Sequence, residues 1–258
     1  MNNAIVRRAA AADAEPVAAL IRRSFRDADL ALTIYGCHGI AEYLRKRFEA
    51  LENGSPQPLV AECDGAVAGF VELRSNDSGV FLNYIATDER VQGRGLGRLL
   101  LKRSLEDLQA APGTPFTLDV FGHNERAKSW YSRLGFEHTG SVGFWRARVE
   151  PAFRGAARFE IFDLPESDDC HETFGFSMLA LAEADDRFNV GRIGSSWFRI
   201  SDPRLLRKPE VLSGLMALDG ERELLVNVAE SEIEAGVGLE LELLLRSDRM
   251  RTCLPLSL

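Results

Sequence analysis

The sequence predicts an α/β fold over residues 1–150, followed by a smaller α+β unit over 173–258. Three observations carry this. Apolar runs of strand length alternate with stretches at helical spacing as far as about residue 150. A glycine-rich turn, Gln92-Gly93-Arg94-Gly95-Leu96-Gly97, joins one such strand to a helix. A charged, turn-rich stretch then interrupts the pattern, with Pro151, Gly155, Pro165 and Glu166-Ser167-Asp168-Asp169, so residues 151–172 read as a linker.

The elements follow in order. Ala4 to Arg8 is a short strand, and Asp13 to Phe25 is an amphipathic helix with Val17, Leu20, Ile21 and Phe25 on one face. Ile40 to Leu51 gives a second helix, stopped by Asn53-Gly54-Ser55-Pro56. Leu59–Cys63 and Val67–Leu73 form a hairpin around Asp64-Gly65. Val80 to Thr87 is a strand that leads through the glycine turn into a helix over Leu96–Leu108. Phe116–Phe121 is a buried strand. Asn124 then caps a helix whose face is Ala127, Trp130, Tyr131 and Leu134 and whose stop is Gly135. Strands near Phe136–Thr139 and Gly143–Val149 complete the first part. Beyond the linker, Phe174–Ala182 and Phe188–Ile200 read as strands, Pro209–Leu218 as a helix, and Glu223–Val228 and Leu239–Arg246 as two further strands.

The glycine turn has a chemical meaning. The first N–H groups of a helix lack intrahelical partners, and the aligned peptide dipoles favour negative charge there. Glycines at alternate positions let several N–H groups approach a phosphate. No Gly-Lys-Ser/Thr follows, which disfavours a P-loop, and the spacing is not the dinucleotide Gly-x-Gly-x-x-Gly.

Gln92-x-x-Gly95-x-Gly97, together with Asn124-x-x-Ala127-x-x-x-Tyr131-x-x-x-Gly135-Phe136, resembles the GCN5-related N-acetyltransferase (GNAT) family. The resemblance covers about residues 1–150. It implies a mixed sheet whose central strands splay to admit acetyl-coenzyme A as co-substrate. The cofactor's pyrophosphate would lie on N–H groups of Gln92, Gly93, Arg94, Gly95, Leu96 and Gly97, with Arg94 or Arg98 supplying charge. Its pantetheine arm would run against Ile85, Ala86 and Thr87, hydrogen-bonded to Asn124. Tyr131 would protonate the leaving thiolate as a general acid; the competing reading is a packed helix aromatic. Many relatives carry an acidic base on the glycine-loop strand, where this chain has Asn83. Glu72 and Asp119 are the substitutes, each also readable as a structural carboxylate.

The implied reaction is N-acetylation of a primary amine on a small molecule, a peptide N-terminus or a lysine. The alternative is a non-catalytic acyl-coenzyme A-binding sensor or assembly module. His123 reads as a turn residue, and His38, His138 and His171 show no metal-ligand spacing. Cys37, Cys63, Cys170 and Cys253 form no Cys-x-x-Cys pair, so neither a metal nor a disulfide framework is expected, and the compartment is expected to be cytoplasmic. The net charge of −8 argues against a nucleic-acid partner. No apolar run approaches spanning length, so no membrane partner is expected. Residues 173–258 resemble half of an acetyltransferase domain without its phosphate loop. Covering the acceptor cleft, homodimer formation and binding of a separate ligand are their open roles. Glu230, Glu232 and Glu234 read as a solvated face.

Overall fold

The computed structural model describes residues 4–50, 56–153, 159–233 and 238–256. Leu51, Asn53-Gly54-Ser55, Gly155 and Glu234, used above, lie outside them. The chain divides into two compact units. The first holds Met1–Asp27, Ile40–Thr139 and Asp248–Leu258, and the second holds Ala28–Gly39 and Gly140–Ser247.

The first unit runs β1 (Ile5–Arg8), α1 (Ala14–Ser24), then, past α2 (Asp27–Leu30), α3 (Ile40–Ala50), β2 (Leu59–Cys63), β3 (Ala66–Asn76), β4 (Gly79–Thr87), α4 (Leu96–Leu108), β5 (Pro115–Phe121) and α5 (Glu125–Arg133). Two long strands, β6 (Glu137–Val149) and β12 (Leu239–Cys253), carry the chain from one unit to the other. The strand order here is β1-β2-β3-β4-β5, with the end of β12 beside β5. Neighbours from β1 to β4 are antiparallel, while β4 and β5, joined through α4, are parallel. A parallel pair needs such a crossover.

Helix α4 is the packing centre of this unit. Leu96, Leu100, Leu101 and Ser104 are buried at helical spacing. Leu100 lies over Gly69 of β3, where a Cβ would come within 2.7 Å of Leu100 Cδ1. The missing side chain lets helix and sheet close together. Leu73, Leu82, Phe116, Leu118 and Phe136 complete the same core.

The second unit contains β7 (Glu160–Ile161), α6 (Leu164–Phe174), β8 (Phe176–Glu183), β9 (Asp186–Ile193), β10 (Trp197–Ile200), α7 (Pro209–Leu218) and β11 (Glu223–Ala229). Its strand order is β7-β8-β9-β10-β11-β6, with the start of β12 beside β6. Strands β7 to β10 are antiparallel in turn, and β10 and β11 are parallel with α7 between them. This repeats the order of β1 to β5, including the single parallel step after the fourth strand. The GNAT-like half expected from the sequence is therefore a real topological repeat. Leu181, Val190, Phe198, Leu212 and Leu224 fill its core.

Several expectations are corrected at element level. The stretch 151–172, expected to be a linker, contains most of α6, which buries only Ser167 and so leaves no apolar stripe to read. Phe188–Ile200 is two strands parted by a turn at Gly194, whose φ is +53°. Phe136–Thr139 and Gly143–Val149 are one continuous strand, β6. The final strand extends to Cys253 rather than ending at Arg246.

Leu100→Ala removes a fully buried side chain at the helix–sheet contact, with an expected loss of about 2–5 kcal/mol. Urea unfolding measures it, and a loss under about 1 kcal/mol would mean that α4 is not the packing centre.

Candidate active site

The site is built where β4 parts from β5. The two strands pair only at Val80↔Phe116, Phe81↔Thr117 and Leu82↔Leu118. Just there, the β3–β4 register slips: Glu72 faces Tyr84 and Leu73 faces Leu82, leaving Asn83 as the extra residue. A bulge of this kind bends its strand and raises its twist. Ile85, Ala86 and Thr87 all lie past the last β5 pair, while still pairing with β3.

Beyond Thr87, Asp88 accepts the Arg90 backbone N–H at 3.0 Å and the Arg90 side chain at 2.8 Å. Arg23 lies 3.6 Å from the same carboxylate. Hydrogen bonds from the Arg90 guanidinium and backbone outweigh burial and hold the Asp88 carboxyl well below the usual carboxylate range. Gln92 ties the following loop down on two sides. Its Nε2 donates to Thr87 O at 3.1 Å, and its Oε1 accepts from Arg126 of α5.

Gly93 and Gly95 have φ of +77° and +82°, a region that L side chains rarely occupy. A Cβ at either would meet nothing within 4 Å, so the space above the loop is open. Gly95 caps α4 without a side-chain hydrogen bond, and the first turn holds no acid. The first helical bond is Leu99 N–H to Gly95 O at 3.0 Å. The N–H groups of Leu96, Gly97 and Arg98 thus lack helical acceptors, and exposed Arg94 and Arg98 flank them. The arrangement can bind an anion such as a pyrophosphate.

On α5, Asn124 uses its Oδ1 to cap Ala127 N–H at 3.1 Å, leaving Nδ2 as the side chain's donor. Trp130 stands 3.6 Å from where a Cβ on Gly97 would be, so the first turn of α4 and the α5 face adjoin. Tyr131 is buried beside Trp130 and Phe136, with ring centroids at 4.9 and 5.7 Å. Among the described residues its hydroxyl takes no hydrogen bond. Burial pushes the phenol up, so it keeps its proton at neutral pH.

The carboxylates are on the other face. Along β5, Leu118 and Val120 enter the core, so Asp119 and Phe121 point away from it. Asp119 accepts two hydrogen bonds from Arg249, both at 2.8 Å. Glu72 is buried; its Oε1 accepts Arg47 Nε at 2.9 Å and Nη2 at 2.7 Å, and its Oε2 accepts Asn83 Nδ2. Phe25 meets Tyr84 and Phe121 edge to face at 6.2 and 5.9 Å. His123 stacks on Phe121 and contacts Arg26 at 2.8 Å. Arg47 and Arg249 were missed from the sequence, and Phe25, read as part of the helix face, is the extended residue just past α1. Arg47 and Arg249 stand 25 and 130 residues from their carboxylates, and no local spacing announces such pairs.

In the second unit, the connection after β10 differs. It carries Pro203 and Pro209, and Pro209, at the first position of α7, has no N–H. Lys208, which caps the helix, is held by Glu183 and by Asp186 at 2.9 Å. Among the described residues no group of three or more His, Cys, Asp or Glu could hold a metal ion. No described helix is long and apolar enough to cross a membrane.

Residues 22–136 match the acetyltransferase (GNAT) family. At the level of individual proteins, the chain is 38% identical over 74 residues to a mycothiol acetyltransferase of Beutenbergia cavernae, which is 28% of this chain and 25% of that protein. The match thus spans about a quarter of the length of that relative. Among solved structures, a GCN5-related N-acetyltransferase from Sphaerobacter thermophilus aligns over 97% of this chain and 95% of its own, with TM-score 0.63 and 16% identity. A tandem GNAT protein from the clavulanic acid biosynthesis pathway aligns over 97% and 98%, with TM-score 0.64 and 12% identity. These two similarities establish the fold across both units.

Because the Asp88 carboxyl is depressed in the folded chain, it contributes stability above its ordinary unfolded value of about 3.9, and loses it as pH falls below that. Asp88→Asn is therefore expected to flatten the acid limb of stability between about pH 4 and pH 2 relative to wild type. Urea unfolding at several pH values measures the difference. Parallel curves for the two proteins would remove Asp88 from the account.

Proposed function

We propose that the first unit transfers an acetyl group from acetyl-coenzyme A to a primary amine. The observation that carries this reading is the open cradle at Gly93–Arg98, set at the end of a strand that has left its parallel neighbour. The pyrophosphate binds the N–H groups of the loop and of Leu96 and Gly97, with Arg94 and Arg98 adding charge. The pantetheine arm takes the edge of Ile85–Thr87 that β5 leaves free and receives a hydrogen bond from Asn124 Nδ2. The amine nitrogen attacks the acetyl carbon, the carbonyl oxygen gains charge, and a backbone N–H near Ile85 or Ala86 stabilises it. The carbon–sulfur bond then breaks, the thiolate takes its proton from Tyr131, and the nitrogen's surplus proton leaves to solvent, from which the tyrosine is reprotonated. Holding both reactants in this geometry supplies much of the rate.

Tyr131 suits the acid role because its protonated hydroxyl has no competing partner among the described residues. Glu72 and Asp119 are the carboxylates on the acceptor face, and both are already held by arginines. That pairing favours a second reading, an acyl-coenzyme A-binding sensor without a base. The retained tyrosine favours the enzyme. The acceptor is an amine on a small molecule, a peptide N-terminus or a lysine. The free cysteines support a reducing, cytoplasmic setting.

Thiol release from acetyl-coenzyme A across a panel of amines tests the reading. Turnover supports it, and binding without turnover on any amine supports the sensor. Tyr131→Phe is expected to lower kcat by tenfold or more, within the ~10²–10⁴-fold scale of acid–base catalysis, with acetyl-coenzyme A affinity nearly unchanged. Unchanged kcat would remove Tyr131 from the mechanism. Gly95→Phe puts a ring into the open cradle at a left-handed φ and is expected to abolish acetyl-coenzyme A binding by calorimetry. Retained affinity would contradict the cradle.

A further inference from the structure

We propose that Asn83 is the residue that receives the acceptor, its side-chain Oδ1 taking a hydrogen bond from the attacking amine. The proposal rests on the acetyl-transfer reading and names the binding group for its second substrate. Three observations carry it.

The first is position. Asn83 is the bulged residue at the point where β4 leaves β5, beside the start of the stretch assigned to the pantetheine arm. The second is orientation. The Asn83 amide has a donor end and an acceptor end, and coordinates alone rarely distinguish them. Here the chemistry does. Glu72 Oε2 belongs to a carboxylate paired with the Arg47 guanidinium, and a carboxylate only accepts. Nδ2 must therefore face Glu72, so Oδ1 is turned away from it. Among the described residues Oδ1 takes no hydrogen bond, and the residue is only partly buried. A fixed, unused acceptor beside the reaction centre suits a group that brings N–H donors, and a primary amine does so.

The third observation concerns what surrounds it. Glu72 pairs with Tyr84 across the β3–β4 ladder, and Tyr84 meets Phe25, which also meets Phe121. These three partly exposed rings share the face on which Asn83 lies and suit an apolar or aromatic body on the amine. Glu72 and Arg47 act through Asn83: they are positioning residues that fix its amide, and neither needs to take a proton.

The probe is 2-phenylethylamine. Calorimetry first follows acetyl-coenzyme A binding to wild type, and failure there overturns the acetyl-transfer reading itself. Phenylethylamine is then titrated onto protein saturated with coenzyme A, and thiol release gives kcat and KM. For Asn83→Ala, phenylethylamine binding is expected to weaken, and KM to rise, by about tenfold, the worth of one hydrogen bond to a charged group. Acetyl-coenzyme A affinity stays near wild type; a lower melting temperature alone, from loss of the Nδ2 bond to Glu72, is all that a merely structural asparagine would give. Glu72→Gln, whose amide no longer dictates the Asn83 orientation, falls between. The exchanged pair E72Q with N83D keeps one amide, one carboxylate and an outward oxygen, and is expected to restore amine affinity. Wild type that binds acetyl-coenzyme A but not phenylethylamine, or Asn83→Ala that binds it equally well, would overturn the proposal and leave the cofactor cradle standing.

Discussion

The parting of β4 from β5 after Leu82 is the constraint on which the rest of the site depends. Strand edges carry N–H and C=O groups that must find partners, and a gap between two central strands is costly unless something fills it. The bulge at Asn83 produces the bend, and Asp88 and Gln92 tie down the far end of β4, so the gap is held in the folded chain. Extended groups with amide donors and acceptors, such as those of a pantetheine arm, answer that need as an added strand would. The glycine loop follows immediately, so on the proposed reading one element supplies both the slot for the arm and the cradle for the phosphates. The two requirements have one structural cause.

Electrostatics divide the site into two sides. The cradle side is open and positive, with unpartnered helical N–H groups, Arg94 and Arg98. On the opposite face both carboxylates are already paired, Glu72 with Arg47 and Asp119 with Arg249. On the proposed reading, those pairings leave hydrogen-bond direction and shape, rather than carboxylate charge, to select the acceptor. Tyr131 stands with the α5 aromatics, where burial keeps its phenol protonated.

Much of the first unit was legible in the sequence, because its signals are local. Helix α4 ends where the apolar spacing says it should, as α7 does in the second unit, and the Asn124 cap and Gly95 turn follow from residue chemistry alone. What was not legible depends on contacts distant in sequence. Arg249 reaches Asp119 only because β12 returns beside β5, and nothing near either residue signals it. Helix α6 hid inside an expected linker because it buries only one small polar side chain and carries four acidic residues with no apolar stripe. The Glu72–Asn83 contact was hidden for another reason: simple alternation gives no register slip, so the bulge that joins them is invisible to a period-two reading. The second unit repeats the strand order of the first but not its chemistry, since prolines stand where the first unit has glycines. A shared topology thus coexists with a different connection, as expected when function resides in the loop and not in the sheet.

Hydrogen exchange at single backbone amides, with and without acetyl-coenzyme A, tests the central claim most directly. The account predicts that amides of Ile85–Thr87 facing the gap, together with those of Leu96, Gly97 and Arg98, slow on binding, while those within the Leu100–Leu108 part of α4 barely change. Binding that leaves both stretches exchanging at their free rates would contradict it.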